Sequence, residues 1–147
     1  MKNYCITCIL FFITFLSYSQ TFDQKIEDLI NENLDETIKL RHWFHQNAEL
    51  SNREFKTAAR IAEELKKIGY EPMTGIAKTG VVAILNSGKP GPVVGLRADI
   101  DALPVKERAD IPWASKMKGI YNGEEVPVMH ACGHDMHTAI LLAAAKI

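Results

Sequence analysis

Residues 129–137 read MHACGHDMH, a run in which Cys132 and His134 stand two apart around Gly133, with His130, Asp135 and His137 close by. A thiolate and an imidazole are good ligands for a borderline-soft divalent ion, and glycine lets the backbone fold close to one. A second run, GLRADIDALP at 95–104, ends an apolar stretch with Asp99 and Asp101. Residues two apart on an extended chain point to one side, roughly 6 to 7 Å apart along it. Like charges so placed repel, and burying them is costly unless a cation sits near. Each run alone has a plain structural explanation: a solvated strand end or helix cap for the aspartates, a buried cysteine beside a capping histidine for the other. Together they favour a metal centre with Cys132 and His134 as ligands. His137, near a helix start, is then a candidate for orienting a carboxylate or a ligand.

Two other readings of this turn stay open. Cys132 could act as a nucleophile beside a histidine, although thiol hydrolases normally take that histidine from a distant part of the chain. Alternatively, Cys132 and His134 could hold a structural metal in a non-catalytic domain. His42 and His45, three apart in RHWFHQNAEL, are read as a packed or solvated helix surface and stay outside the site.

The N-terminus has the order of a secretory signal: Lys2, an apolar run from Cys5 to Leu16, then Ser17-Tyr18-Ser19. That run is shorter than the ~20 residues of a bilayer-spanning helix, so the expectation is a signal peptide over 1–19 and a secreted or periplasmic protein with no membrane contact after cleavage. Cys5 and Cys8 would leave with the signal, and Cys132 would be a lone thiol in an exported protein, which favours its protection by a metal. Without Lys2 the charges are 16 basic against 18 acidic with no basic run, which argues against nucleic acid as a partner.

These residues need elements to position them. From Asp23 to about Gln46, Ile26, Leu29, Ile30, Leu34, Ile38, Leu40 and Trp43 or Phe44 recur mostly at three- and four-residue steps, which predicts an amphipathic helix. Ser51 followed three residues later by Glu54 predicts a capping box for a second helix, which Gly69 stops. Val81–Leu85 and Val93–Leu96 predict two buried strands joined by the Asn86–Gly91 connection, with a weaker strand over 70–76. Residues 99–128 carry three prolines and two glycines and predict mostly loop with short pieces of structure. A last helix opens at Asp135 or Thr138 and is apolar almost all round, so it should be buried. It carries no stop signal, which leads to the expectation of an incomplete domain over 20–147.

The blocks RHWFHQNAELSNREFKTAARIAEELKKIGYE, IAKTGVVAIL, GLRADIDALPVKE and VMHACGHDMHTA, in this order and spacing, resemble the M20 metallopeptidases in the subfamily of N-acyl-amino-acid amidohydrolases. The resemblance covers about Ile26 to Ile147. It implies an α/β fold, a three-layer zinc-exopeptidase-like catalytic domain with a mixed sheet between helices. It further implies two divalent ions, Zn or Mn, in the complete enzyme, with Cys132 and His134 as metal ligands and Asp101 as the catalytic-site carboxylate that orients or tunes them. Asp99 falls where the wider superfamily has a ligand histidine. The implied substrate is a small N-acyl amino acid or short peptide, cleaved to a carboxylic acid and a free amino acid. The family's general base, its remaining ligands and a lid domain, through which it could form homo-oligomers, are absent from these residues, which implies that they alone are inactive.

Overall fold

The computed structural model describes residues 2–147, with side chains from Phe22 onward. The candidate signal peptide, with Cys5 and Cys8, falls among residues whose side chains lie outside that description. The chain divides into two compact units, residues 1–35 with Ile147, and Glu36–Lys146. The first helix, α1 (Lys2–Gln46), runs through the first unit and into the second. Within the first unit Gln24 Nε2 donates to Asp28 Oδ1 one turn on, and Asn33 Nδ2 to the Leu29 carbonyl. Among the described residues no helix is long and apolar enough to cross a membrane.

The apolar stripe expected along 23–46 is buried only at its end. Ile30, Leu34 and Ile38 are exposed, whereas Leu40 and Phe44 enter a core with Ile61, Leu65 and Leu142. Ile61 and Leu65 belong to α2 (Phe55–Lys67), whose buried residues Thr57, Ala58, Ile61, Ala62 and Leu65 follow helical spacing. Its cap differs from the one expected. Glu54 turns away, accepting from the Asn52 amide and the Thr79 hydroxyl. Glu49 takes the capping role instead, its carboxylate accepting from the amides of Lys56 and Thr57 and from the Thr57 hydroxyl. These are unpaired donors of the first turn, where negative charge is also favoured by the helix dipole. At the other end Gly69, at φ 91°, lets the Tyr70 amide reach back to the Leu65 carbonyl and stop the helix as expected.

The fold is mixed α/β, with two small antiparallel sheets. β1 (Met73–Ile76) pairs with β2 (Gly80–Val82), and β3 (Met117–Tyr121) with β4 (Glu124–Val128). The strand expected over 81–85 is thus cut to its first residues, and 93–98 forms no strand. Val93, Val94 and Leu96 are 99%, 76% and 70% exposed. An apolar run becomes a strand only when a neighbour accepts its backbone hydrogen bonds, and the described residues supply none here. The short pieces of structure expected within 99–128 include the β3–β4 hairpin. Asn122 and Gly123 turn it with φ of 51° and 85°, the left-handed pair that a two-residue hairpin turn requires.

A second small core of Ala48, Leu50, Ala102 and Val128, with Met117 against it, decides where the chemistry-bearing residues go. Leu50 bridges Ala102 in parallel, and Leu103 bridges Met129 in antiparallel fashion. The segment 101–103 is therefore held between the chain after α1 and the chain before α3 (His134–Lys146). The last helix is buried on one face only, through Asp135, Thr138, Ala139 and Leu142. Met136 and Ile140 are exposed, which corrects the expectation of burial all round.

Candidate metal centre

Clamping 101–103 beside Met129 brings Asp101 onto the start of α3. His134 Nδ1 lies 2.9 Å from the Asp101 carbonyl oxygen and 3.0 Å from Asp101 Oδ1. Both neighbours are acceptors, so Nδ1 is the donor nitrogen, and the Nδ1–H tautomer this selects has its lone pair on Nε2. A metal-ligating histidine is normally prepared in this way, by a carboxylate or carbonyl on the nitrogen that does not bind the ion. His134 and Asp101 are 17% and 27% exposed along their side chains, sheltered yet reachable from solvent.

Cys132 is exposed and reduced, two residues before His134 on the same turn. Gly133 between them sits at φ 92°, and the amides of Met136 and His137 bond back to its carbonyl as the helix begins. A turn of this shape needs glycine at its centre. The donors suit a borderline-soft divalent ion, with His134 Nε2 free and the thiol at the surface. They form part of a site rather than a whole one: among the described residues no group of three or more His, Cys, Asp or Glu side chains is arranged to hold a metal.

The two aspartates part company. Asp99 is exposed and accepts from Arg97 Nε and Nη2 at 2.9 and 2.7 Å, which lowers its pKa first through those hydrogen bonds and then through the guanidinium charge. Its main-chain oxygen accepts from the Thr138 hydroxyl, a second tie to α3. His137 is exposed, with its ring 6.1 Å from that of His134. The carboxylate beside His134 is that of Asp101, and no hydrogen bond joins His137 to a carboxylate among the described residues.

Sequence reasoning passed over a second set of polar residues beneath this turn. His45, expected at a packed or solvated helix surface, is packed, 5% exposed. Its Nδ1 lies 2.9 Å from Asp135 Oδ2 and its Nε2 2.8 Å from Glu107 Oε2, while Arg41 Nε donates to the same Asp135 oxygen at 2.9 Å. Glu107 is held below the usual carboxylate range, by the Ala109 amide first and His45 next. His130, also 5% exposed, has both ring nitrogens without a partner, and burial pushes its pKa down to about 4. His42, whose ring stacks on Trp113 at 3.8 Å, is lowered as well, first by desolvation and then by the Arg41 charge. The three-residue spacing of His42 and His45 was a visible signal; the partners that give it meaning lie more than 60 residues away.

Residues 95–147, which include Asp101 and the whole Cys132–His134 turn, match the peptidase family M20/M25/M40. The chain is 48% identical over 122 residues to a hippurate hydrolase of Campylobacter jejuni, covering 81% of this chain and 30% of that protein. It is 43% identical over 124 residues to an N-acyl-L-amino acid amidohydrolase of Geobacillus stearothermophilus, covering 84% and 31%. Its fold is similar to the crystal structure of a dinuclear metal-binding M20 peptidase from Bacillus subtilis, with a TM-score of 0.67 and 38% identity over 76% of this chain and 29% of that one. The chain therefore spans about 30% of the length of the curated relatives it matches.

Proposed function

Since the chain belongs to peptidase family M20/M25/M40, we propose that it supplies part of the metal centre of an amidohydrolase that cleaves N-acyl amino acids into a carboxylic acid and a free amino acid. The observation that carries this reading is the fixing of His134 Nδ1 by Asp101, which leaves Nε2 as the free donor of the turn. Cys132 and His134 would hold a divalent ion, Zn or Mn, one of two in the complete centre. Such an ion, when bound, would supply Lewis-acid polarisation of an amide carbonyl and a lowered pKa for water. Asp101 keeps the His134 ring in one tautomer and one direction, and its charge makes the imidazole a better donor. Gly133 brings the two donors onto one turn.

The proposed substrate class is supported by the similarity to relatives named for hippurate and N-acyl amino acid hydrolysis. A catalytic centre ordinarily has three or more protein ligands and an open position, so Cys132 and His134 need further ligands and a general base, and these residues without them would be inactive. Export of the protein, with processing near Ser19, rests on the sequence of residues 2–19 and is proposed with it. N-terminal mass determination on exported material decides that point, and a retained Lys2 refutes it.

The test of the main reading is metal content together with hydrolysis of hippurate in the longest natural form of the protein. Cys132→Ser and His134→Ala should each lower both, while Asp101→Asn should lower hydrolysis more than metal content. Unchanged metal content in Cys132→Ser overturns the ligand assignment. Activity that survives a chelator but is lost on alkylation of Cys132 would favour a thiol-dependent hydrolase instead, and bound metal without hydrolysis would favour a structural site.

A further inference from the structure

The residue directly after His134 is a buried acid. Asp135 is 1% exposed, and its Oδ2 is held by Arg41 and His45 of α1, residues 94 and 90 positions earlier in the chain. His45 continues the chain of contacts to Glu107, itself fastened by the amides of Arg108 and Ala109. Asp135 Oδ1, by contrast, is buried without a partner. An acid at a helix N-terminus gains from the dipole at the surface as well as inside. Burying it with one oxygen unsatisfied is costly, so this placement calls for a role other than stability.

The helix geometry supplies one. Successive residues on α3 project about 100° apart, so seating Asp135 against α1 sets the direction of His134, which meets Asp101 on the neighbouring side. We propose that Asp135 and His45 are positioning residues: through the Arg41–Asp135–His45–Glu107 chain they lock the first turn of α3 in rotation and thereby aim His134 and Cys132. The purpose of this lock rests on the metal reading above; its existence does not.

The lock is therefore tested on the metal-free full chain. Long-range proton–nitrogen spectra report the His134 tautomer, and hydrogen exchange reports the amides of 131–137. Asp135→Asn keeps the shape and removes the charge. It should erase the single Nδ1–H tautomer of His134 and speed exchange at 131–137 by a factor on the order of ten to a hundred, as expected for losing hydrogen bonds to a buried charge. Exchange in the β3–β4 hairpin should stay as in the wild type. Glu107→Gln, at the end of the chain of contacts away from Asp135, guards against misfolding of the first variant and should give the same local pattern in weaker form. Lys118→Gln, which removes a surface ion pair with Glu125, should leave His134 unchanged. Exchange that rises evenly over the whole chain, or a His134 signature indifferent to both variants, overturns the proposal. Co2+ added alone then separates the two ideas. Loss of the thiolate–cobalt absorption in Asp135→Asn supports positioning of the metal turn. Absence of that absorption in the wild type counts against the metal reading, while the exchange pattern still decides the lock.

Discussion

Replacing Asp101 by asparagine separates a carboxylate that orients a ligand from one that is a ligand. In the structure His134 Nδ1 has two acceptors from this one residue, the main-chain oxygen at 2.9 Å and Oδ1 at 3.0 Å. The main-chain contact survives any substitution, and an asparagine oxygen can still accept from Nδ1. Geometry is therefore largely kept and charge alone is lost. Removing an outer partner of a metal-bound histidine typically costs 10- to 100-fold in affinity. With one acceptor intact and a second replaced in kind, the loss should fall at the low end, about tenfold or ~1.4 kcal/mol. His134→Ala removes the donor itself and should weaken binding by at least about tenfold more, since no described side chain stands ready to replace it. Competition between the protein and a chromophoric chelator for Zn2+ measures all three. If Asp101→Asn binds as poorly as His134→Ala, the carboxylate is itself a ligand and the orienting argument fails. If it binds as tightly as the wild type, the charge on Asp101 does nothing for the ring.

Three further outcomes follow from the packing and the ionisable groups. His130 is held by burial at about 4, against about 6.5 in the unfolded chain. As pH falls through that window the unfolded state takes up a proton that the fold refuses, so stability drops, by about 3 kcal/mol at the lower end; denaturant midpoints across the window should show the fall, and His130→Gln should flatten it, an unchanged slope in that variant counting against the assignment. Phe44 is 1% exposed at the centre of the first core, and Phe44→Ala should cost ~3–5 kcal/mol in chemical denaturation, a loss below ~1 kcal/mol meaning that the core is not packed around it. A Cβ at Gly119 would stand 2.9 Å from Leu50 Cδ1 and 3.4 Å from Val128 Cγ2, so Gly119→Ala should destabilise the second core by ~1–3 kcal/mol, and a neutral or stabilising effect in the same assay would show that Leu50 gives way freely.

What the sequence made legible follows the range of the interaction involved. The second helix and its stop at Gly69 depend on residues within one or two turns, and both are found where the pattern put them. The candidate site was named from residue types, and the structure adds why Asp101 reaches His134: the bridges of Leu50 to Ala102 and of Leu103 to Met129 hold the two segments together. Misreadings occurred where a distant or competing partner decides. Ser51 and Glu54 have the spacing of a capping box, but Thr79, 25 residues on, claims the Glu54 carboxylate and Glu49 caps the helix instead. Within 99–128 short pieces of structure were expected, but the hairpin over 117–128 was not located among its proline and glycines, although Asn122-Gly123 carries its turn in plain view. Asp99 and Asp101 show the limit most clearly, because the same residue type at a spacing of two meets opposite fates. Arg97 draws Asp99 to the surface, whereas α3 presents His134 to Asp101. A pair of acids in sequence therefore names candidates, and the docking of the last helix, fixed by Asp135 from below, selects between them.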